Sequence, residues 1–270
     1  MPNIEDALQK EEFLMLFKGE PSSGKSIAAA SFPKPYIFDM ESRIRSVAAY
    51  HYPRGKRDLT YDTYTREDYP KFDKKWDEFV DMSKMNRFPY DTVIVDSLTS
   101  CADLLLQHVL RLKGLDGKGK KIAGVAVNSI EDYNAENAML TELVMFLQQI
   151  KCKYKILVAH VIKTEKTNLN DDSTVVTRQL LTGGKKIAAR IPGKFDEIFH
   201  FEQKPVGGRS QFVARTVNSG EDFARTTLKL PKEINFTDGN FFELIEPSIQ
   251  EVQSLSKDKT NVVPINSGKV

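Results

Sequence analysis

Two hydrophobic rhythms alternate along this chain. Short unbroken apolar runs, FLMLF (13–17), YIFDM (36–40), TVIVD (92–96) and KILVAH (155–160), are separated by longer stretches whose apolar residues recur every three or four positions. An unbroken run of this length suits a strand covered on both faces, and recurrence near 3.6 marks a helix with one buried face. Helices are predicted from about Lys25 to Ser31, where Pro33 and Pro35 stop the first, and over 67–86, where Tyr69, Phe72, Trp76, Phe79, Val80 and Met82 keep helical spacing. Another follows Asp96 and buries Leu98, Cys101, Ala102, Leu105 and Val109. A further one covers about 131–151, with Leu140, Leu143, Val144, Leu147 and Ile150 on one face. Between them, 113–130 is rich in glycine and lysine, and 163–186 is a long polar stretch. Residues 41–65 fit neither rhythm. Residues 197–230 alternate with a period of two in EIFHFEQ, QFVARTV and ARTTLKL, which predicts antiparallel strands. Strands separated by helices predict an α/β fold: a mostly parallel central sheet flanked by helices, with antiparallel hairpins extending one edge. The expected organisation is an N-terminal arm over 1–11, one core over 12–250, and a disordered polar tail over 251–270. No internal repeat is visible.

Composition narrows the function classes. The 270 residues, 40% of them hydrophobic, suffice for one large core. A net charge of +2 excludes a global positive field, so any nucleic-acid binding must come from local patches. Cys101 and Cys152 lie in apolar runs away from histidine, which predicts a reduced, intracellular protein without structural zinc. No basic segment leads into a long apolar run, and the apolar runs are shorter than a membrane span. Both features predict a cytoplasmic protein without a membrane partner.

The stretch GEPSSGKS fits the phosphate-loop pattern G-x-x-x-x-G-K-[ST]. It lies between a buried strand and a helix, the setting that the chemistry requires. Gly19 and Gly24 let the backbone curl so that successive N–H groups point inward at phosphate oxygens. Gly19, Glu20, Pro21, Ser22, Ser23, Gly24, Lys25, Ser26 and Ile27 are therefore expected to hold a nucleoside triphosphate. Lys25 would supply charge at the β- and γ-phosphates, and the Ser26 hydroxyl would be a magnesium ligand. Asp96, at the end of TVIVD, is the expected carboxylate of the same metal site, holding a metal-bound water; the alternative is a helix N-cap, which Asp96 and Ser97 also suit. Glu41, just past YIFDM, is the candidate for orienting the attacking water, with Asp39 competing for the role; the alternative is a solvent-facing glutamate paired with Arg43 or Arg45. His160 ends the fourth strand at the same edge. It is either a hydrogen-bond donor to the γ-phosphate or a strand-end histidine satisfied by backbone.

These motifs resemble those of the RecA-type recombinases. GEPSSGKS is similar to their phosphate loop, VIVDS to their second nucleotide motif, and FDME to the strand end bearing their catalytic glutamate. LVAH stands where that family places a polar γ-phosphate sensor, usually glutamine, so His160 is a departure. The short connection from Lys25 to Glu41 resembles the compact RecA-like ATPases of bacteriophages, some of which act in recombination or single-strand annealing. The resemblance covers about 12–230. It implies a RecA-like P-loop NTPase fold, ATP and Mg²⁺ as cofactors, and a homo-oligomer, filament or ring. It also implies single-stranded DNA as partner, with a single-strand-binding or replication protein as a further one. The segments matching the family's DNA loops are 113–130 and 163–186, with Lys118, Lys120, Lys121, Lys163, Lys166, Arg178, Lys185 and Lys186 as candidate contacts. In that family, cations from a neighbouring subunit complete the site. Arg225, with Lys229 on the same strand face and Arg215 beside it, is the candidate here.

Overall fold

The first apolar run becomes β1 (Phe13–Gly19), buried throughout because its two faces meet different helices. The structure, a computed structural model, describes residues 11–115, 121–122, 125–126, 128–167, 174–182, 185–220 and 222–255. After β1 come α1 (Lys25–Ala30), β2 (Pro35–Asp39) and α2 (Ile44–His51). These are followed by β3 (Thr60–Thr63), α3 (Tyr69–Lys84), β4 (Thr92–Asp96) and α4 (Leu98–Leu115). A small ribbon, β5 (Lys121–Ile122) and β6 (Val125–Ala126), precedes α5 (Ile130–Gln149), β7 (Tyr154–Thr167), β8 (Thr174–Leu180) and α6 (Lys185–Arg190). The chain ends in β9 (Glu197–Val206), β10 (Arg209–Arg215), β11 (Glu233–Asn235) and α7 (Phe241–Leu255).

The main sheet has the order β11-β10-β9-β1-β7-β4-β2-β3, with β8 paired to β7. From β9 to β3 every pairing on this path is parallel, and β10 and β11 extend the β9 edge antiparallel. Alternation along β1 separates two cores. Leu14 and Leu16 point to the side holding Phe72, Trp76, Leu105 and Leu147 of α3 to α5. Phe13, Met15 and Phe17 point to the side holding Ala28, Ala29, Phe241 and Ile245 of α1 and α7. On the first side Phe38 packs against Trp76 and Phe79, with ring centroids 5.2 Å from each. On the second, the Phe17 ring lies 4.8 Å from Phe201 and 5.6 Å from Phe241.

Four expectations need correction or completion. The polar stretch after Val161 is no loop at its start: β7 continues to Thr167 and pairs with β8 as a hairpin. Beyond the sheet its only pairing among the described residues is with β8, so its sequence carries no apolar face. ARTTLKL is not a strand. Only Arg225 makes an isolated bridge, to Ile198, because the Glu197 carboxylate takes the Thr227 N–H and the hydroxyls of Thr226 and Thr227. The third edge strand is instead β11. Residues 41–65 hold α2 and β3, and α7 carries helix to Leu255, past the expected start of the tail. Residues 1–10 and 256–270 lie outside the described residues. The two cysteines are buried free thiols.

Candidate nucleotide-binding site

The parallel register brings the predicted chemistry to one edge. Gly19 pairs with His160, Asp96 with Val158 and Asp39 with Asp96, so the ends of β1, β4 and β2 and the middle of β7 meet at the same rim. A cavity of about 260 Å³ opens there, lined by residues 22–27 of the loop together with Glu41, Arg43, Ser46, His160 and Phe212.

The loop is shaped by two left-handed residues, Ser22 and Gly24, with φ of 64° and 87°. The Ser23 hydroxyl donates to the Glu20 carbonyl at 2.8 Å. The Lys25 amine turns inward and donates to the Glu20 carbonyl (2.7 Å) and the Gly19 carbonyl (3.1 Å). Burial pulls the Lys25 amine down to about 8, against the nearby carboxylates of Asp96, Glu41 and Glu20, which raise it. Desolvation pushes the Asp96 carboxyl up to about 6, although the Ser26 hydroxyl bonds it and Lys25 attracts its charge. The Asp96–Ser97 peptide bond is cis.

Glu41 and Asp39 separate cleanly. Asp39 is buried, and its two oxygens accept the backbone N–H groups of Glu41 (3.2 Å), Arg43 (3.2 Å) and Ile44 (3.1 Å). It builds the turn that leads from β2 into α2, so it positions Glu41 and has no free oxygen facing the cavity. Glu41 Oε1 receives His160 Nε2 and the Ser97 hydroxyl, each at 2.6 Å. Those contacts, the histidine first, hold the Glu41 carboxyl down to about 2 against desolvation. With Glu41 ionised, Nε2 carries the proton and donates. His160 Nδ1 is buried without a hydrogen-bond partner among the described residues. Oε2 is left to the cavity, with Arg43 Nε 3.7 Å away.

Sequence reasoning missed Ser97 and Ser100 as members of this cluster and Phe212 as an aromatic wall, and gave Arg43 only as an ion-pair partner of Glu41. Ser97 directly follows the predicted Asp96, which was its one signal.

Residues 12–228 match the family model described as AAA domain. The chain belongs to the AAA domain family. Its strand order, with β7 between the loop-bearing β1 and the Asp96-bearing β4, is that of a RecA-like P-loop ATPase. No curated protein matches the chain. Among solved structures it is similar to the flagellar accessory protein FlaH from Methanocaldococcus jannaschii. That likeness has 14% identity and a TM-score of 0.36, covering 83% of this chain and 84% of that one. It is also similar to the KaiC-like protein PH0186 from Pyrococcus horikoshii OT3, at 12% identity and a TM-score of 0.40, covering 85% and 87%.

The other expected site residues of this AAA domain that the structure describes do not line the cavity. Arg225 does not line it: its backbone bridges Ile198, which pairs with Leu16 in the middle of β1, and its guanidinium donates to the Phe195 carbonyl. Arg215 donates to both Glu202 oxygens at 2.8 Å, and Lys229 pairs with Glu251. Lys163 and Arg178 face each other across the β7–β8 hairpin. Lys118 and Lys120 lie outside the described residues, as do the side chains of Lys121, Lys166, Lys185 and Lys186. No helix among the described residues is long and apolar enough to cross a membrane.

The residues present fit a magnesium triphosphate. A hydroxyl and a carboxylate in contact, Ser26 and Asp96, are the oxygen donors that a magnesium ion accepts alongside phosphate. The backbone also leaves no room for anything but glycine at the start of the loop. A Cβ at Gly19 would come 2.1 Å from the Phe201 carbonyl oxygen and 2.9 Å from Ser23 Oγ. Gly19→Ala is therefore expected to lose roughly 1–3 kcal/mol of stability and to weaken ATP binding, as β1 and β9 shift apart. Thermal melts and an ATP titration check this, and an unchanged melting temperature would refute the clash.

Proposed function

We propose that this protein is a Mg²⁺-dependent ATPase that binds single-stranded DNA as an oligomer and acts in phage-type recombination, annealing or replication. The observation that carries the reading is the convergence of the loop, Glu41 and His160 on one cavity, with Asp96 hydrogen-bonded to Ser26 of the loop. In this mechanism the loop amides and Lys25 bind the triphosphate. Ser26 and Asp96 would hold the metal, which would supply positive charge against the phosphate oxygens. Glu41 accepts a hydrogen bond from water through Oε2 and aims it in line at the γ-phosphorus. A carboxyl held near 2 is a weak base, so Glu41 orients the water, and the proton passes to the departing phosphate. His160 and Ser97 fix the carboxylate and connect it to β7, whose continuation is the hairpin carrying Lys163 and Arg178. Through that strand, γ-phosphate occupancy is reported to the DNA-binding segments.

The test is ATPase activity with and without single-stranded DNA. Stimulation by DNA is expected, as is binding that weakens steeply with salt. Charge reversal at Lys118, Lys120 and Lys121 is expected to weaken binding and to flatten the log–log salt slope by about 0.7 for each phosphate that is no longer neutralised. An unchanged slope would remove the 113–130 segment from the DNA site.

A second reading, a nucleotide-gated regulator or loader acting on a protein partner, draws on the cations already taken up within the chain: Lys113 by Asp132, Arg215 by Glu202, Lys229 by Glu251. ATP turnover indifferent to DNA would favour it.

A further inference from the structure

Arg43 is the one strong cation in the cavity that no motif anticipates. Its backbone is pinned: its N–H donates to Asp39, and its carbonyl accepts the Ser46 N–H at 3.0 Å and the Ser46 hydroxyl at 2.8 Å. Its side chain is free by contrast, 69% exposed, and its ion-pair distance to Glu41 Oε2 is 3.7 Å, too long for a hydrogen bond. A fixed root with a loosely held guanidinium at the mouth of a phosphate cavity is the geometry of a group that closes onto a ligand.

We infer that Arg43 is a catalytic cation supplied in cis, closing from Glu41 onto the γ-phosphoryl group during transfer to water. The inference rests on the ATPase reading above and replaces the cation expected from a neighbouring subunit. The distribution of charge supports it. The Lys25 amine is already engaged by the Glu20 and Gly19 carbonyls. Arginine's planar fork matches two phosphate oxygens at once. The candidates for a cation in trans are all engaged in their own subunit: Arg215 with Glu202, Lys229 with Glu251, and Arg225 with the Phe195 carbonyl.

In the transfer, the bond from the γ-phosphorus to the β-bridging oxygen breaks as the bond to the water oxygen forms. Negative charge grows on the bridging oxygen and spreads over the equatorial oxygens. The equatorial oxygens are the atoms a guanidinium rooted beside Glu41 would meet, since Arg43 and the water held by Glu41 lie on the same side of the phosphorus.

The experiment uses the full chain with Arg43→Ala and Arg43→Lys. Arg43→Ala is expected to lower kcat by about 10²-fold while leaving the ATP dissociation constant within about threefold. It is also expected to abolish the tightening of Mg·ADP binding by aluminium fluoride, which mimics the phosphoryl group in flight. Arg43→Lys, keeping charge without the fork, should recover part of both. The native rate per subunit should stay constant on dilution below the point of assembly. If the role were only to keep Glu41 ionised, Arg43→Ala would change nothing in a Glu41→Gln background. Continued loss of the aluminium fluoride effect there supports direct contact with the phosphoryl group. Native turnover with Arg43→Ala within threefold of it, or a rate that vanishes on dilution, would overturn the inference alone. A native chain that fails to bind ATP would overturn the ATPase reading with it.

Discussion

Glu41→Gln is expected to bind Mg·ATP as the native chain does and to hydrolyse it about 10³-fold more slowly, a barrier increase of roughly 4 kcal/mol. Binding survives because the loop amides, Lys25, Ser26 and Asp96 are untouched. Hydrolysis fails for a directional reason. His160 Nε2–H and the Ser97 hydroxyl both donate to Oε1 at 2.6 Å. In the variant the amide oxygen must stay with those donors, so the NH₂ group takes the place of Oε2. It then offers donors where the water needs an acceptor. Asp39 cannot take over, because its oxygens already accept three backbone N–H groups. Equilibrium binding of a fluorescent ATP analogue, together with single-turnover hydrolysis, separates the two effects. Turnover within tenfold of native would move the water-orienting role away from Glu41.

The parts of this site that the sequence exposes are those written in consecutive residues. The phosphate loop is a local pattern because curling around phosphate needs glycine, lysine and serine at fixed spacing. Asp96 and Glu41 were legible because each closes or follows an unbroken apolar run, and parallel strands bring such ends to one rim. Contact between them is another matter. Glu41 and His160 are 119 positions apart and Glu41 and Ser97 are 56, so their shared oxygen depends on sheet order alone. Arg43 was visible only as a possible ion-pair partner of Glu41, since nothing in its spacing shows that Asp39 ties its backbone at the cavity mouth. The two misread segments fail for physical reasons too. The outer half of β7 with β8 is strand without an apolar face, and polar strands read as loops. ARTTLKL has strand alternation, but Glu197 captures donors that a strand partner would need.

The first strand also buries a lysine at the base of the loop. Lys18 directly precedes Gly19, and its side chain is 3% exposed in an ion pair with Asp222, whose side chain is fully buried. His200, in register with Lys18 on β9, brings Nδ1 within 2.5 Å of the other Asp222 oxygen. Burial works to raise the Asp222 carboxyl. The His200 contact and the Lys18 charge more than offset that and leave it below the ordinary carboxylate range. Burial likewise pulls the Lys18 amine down, with Asp222 opposing. Asp222→Ala removes the carboxylate that pairs Lys18 and strands a buried ammonium, which is expected to cost about 3–5 kcal/mol. Since Gly19 and Phe201 are the next pair in register, the loss should reach the phosphate loop and weaken ATP binding as well. Urea unfolding gives the first quantity and nucleotide titration the second. Replacing both partners, Lys18→Met with Asp222→Leu, should recover most of the stability, because burying apolar groups of similar volume carries no desolvation penalty. The pH dependence has a definite sign. A depressed carboxyl contributes in full above its unfolded value of about 4 and loses that contribution as pH falls through the folded one. Native stability should therefore decline below about pH 4 more steeply than that of the double variant. An Asp222→Ala chain within about 1 kcal/mol of native would show that the cluster does not brace the base of the phosphate loop.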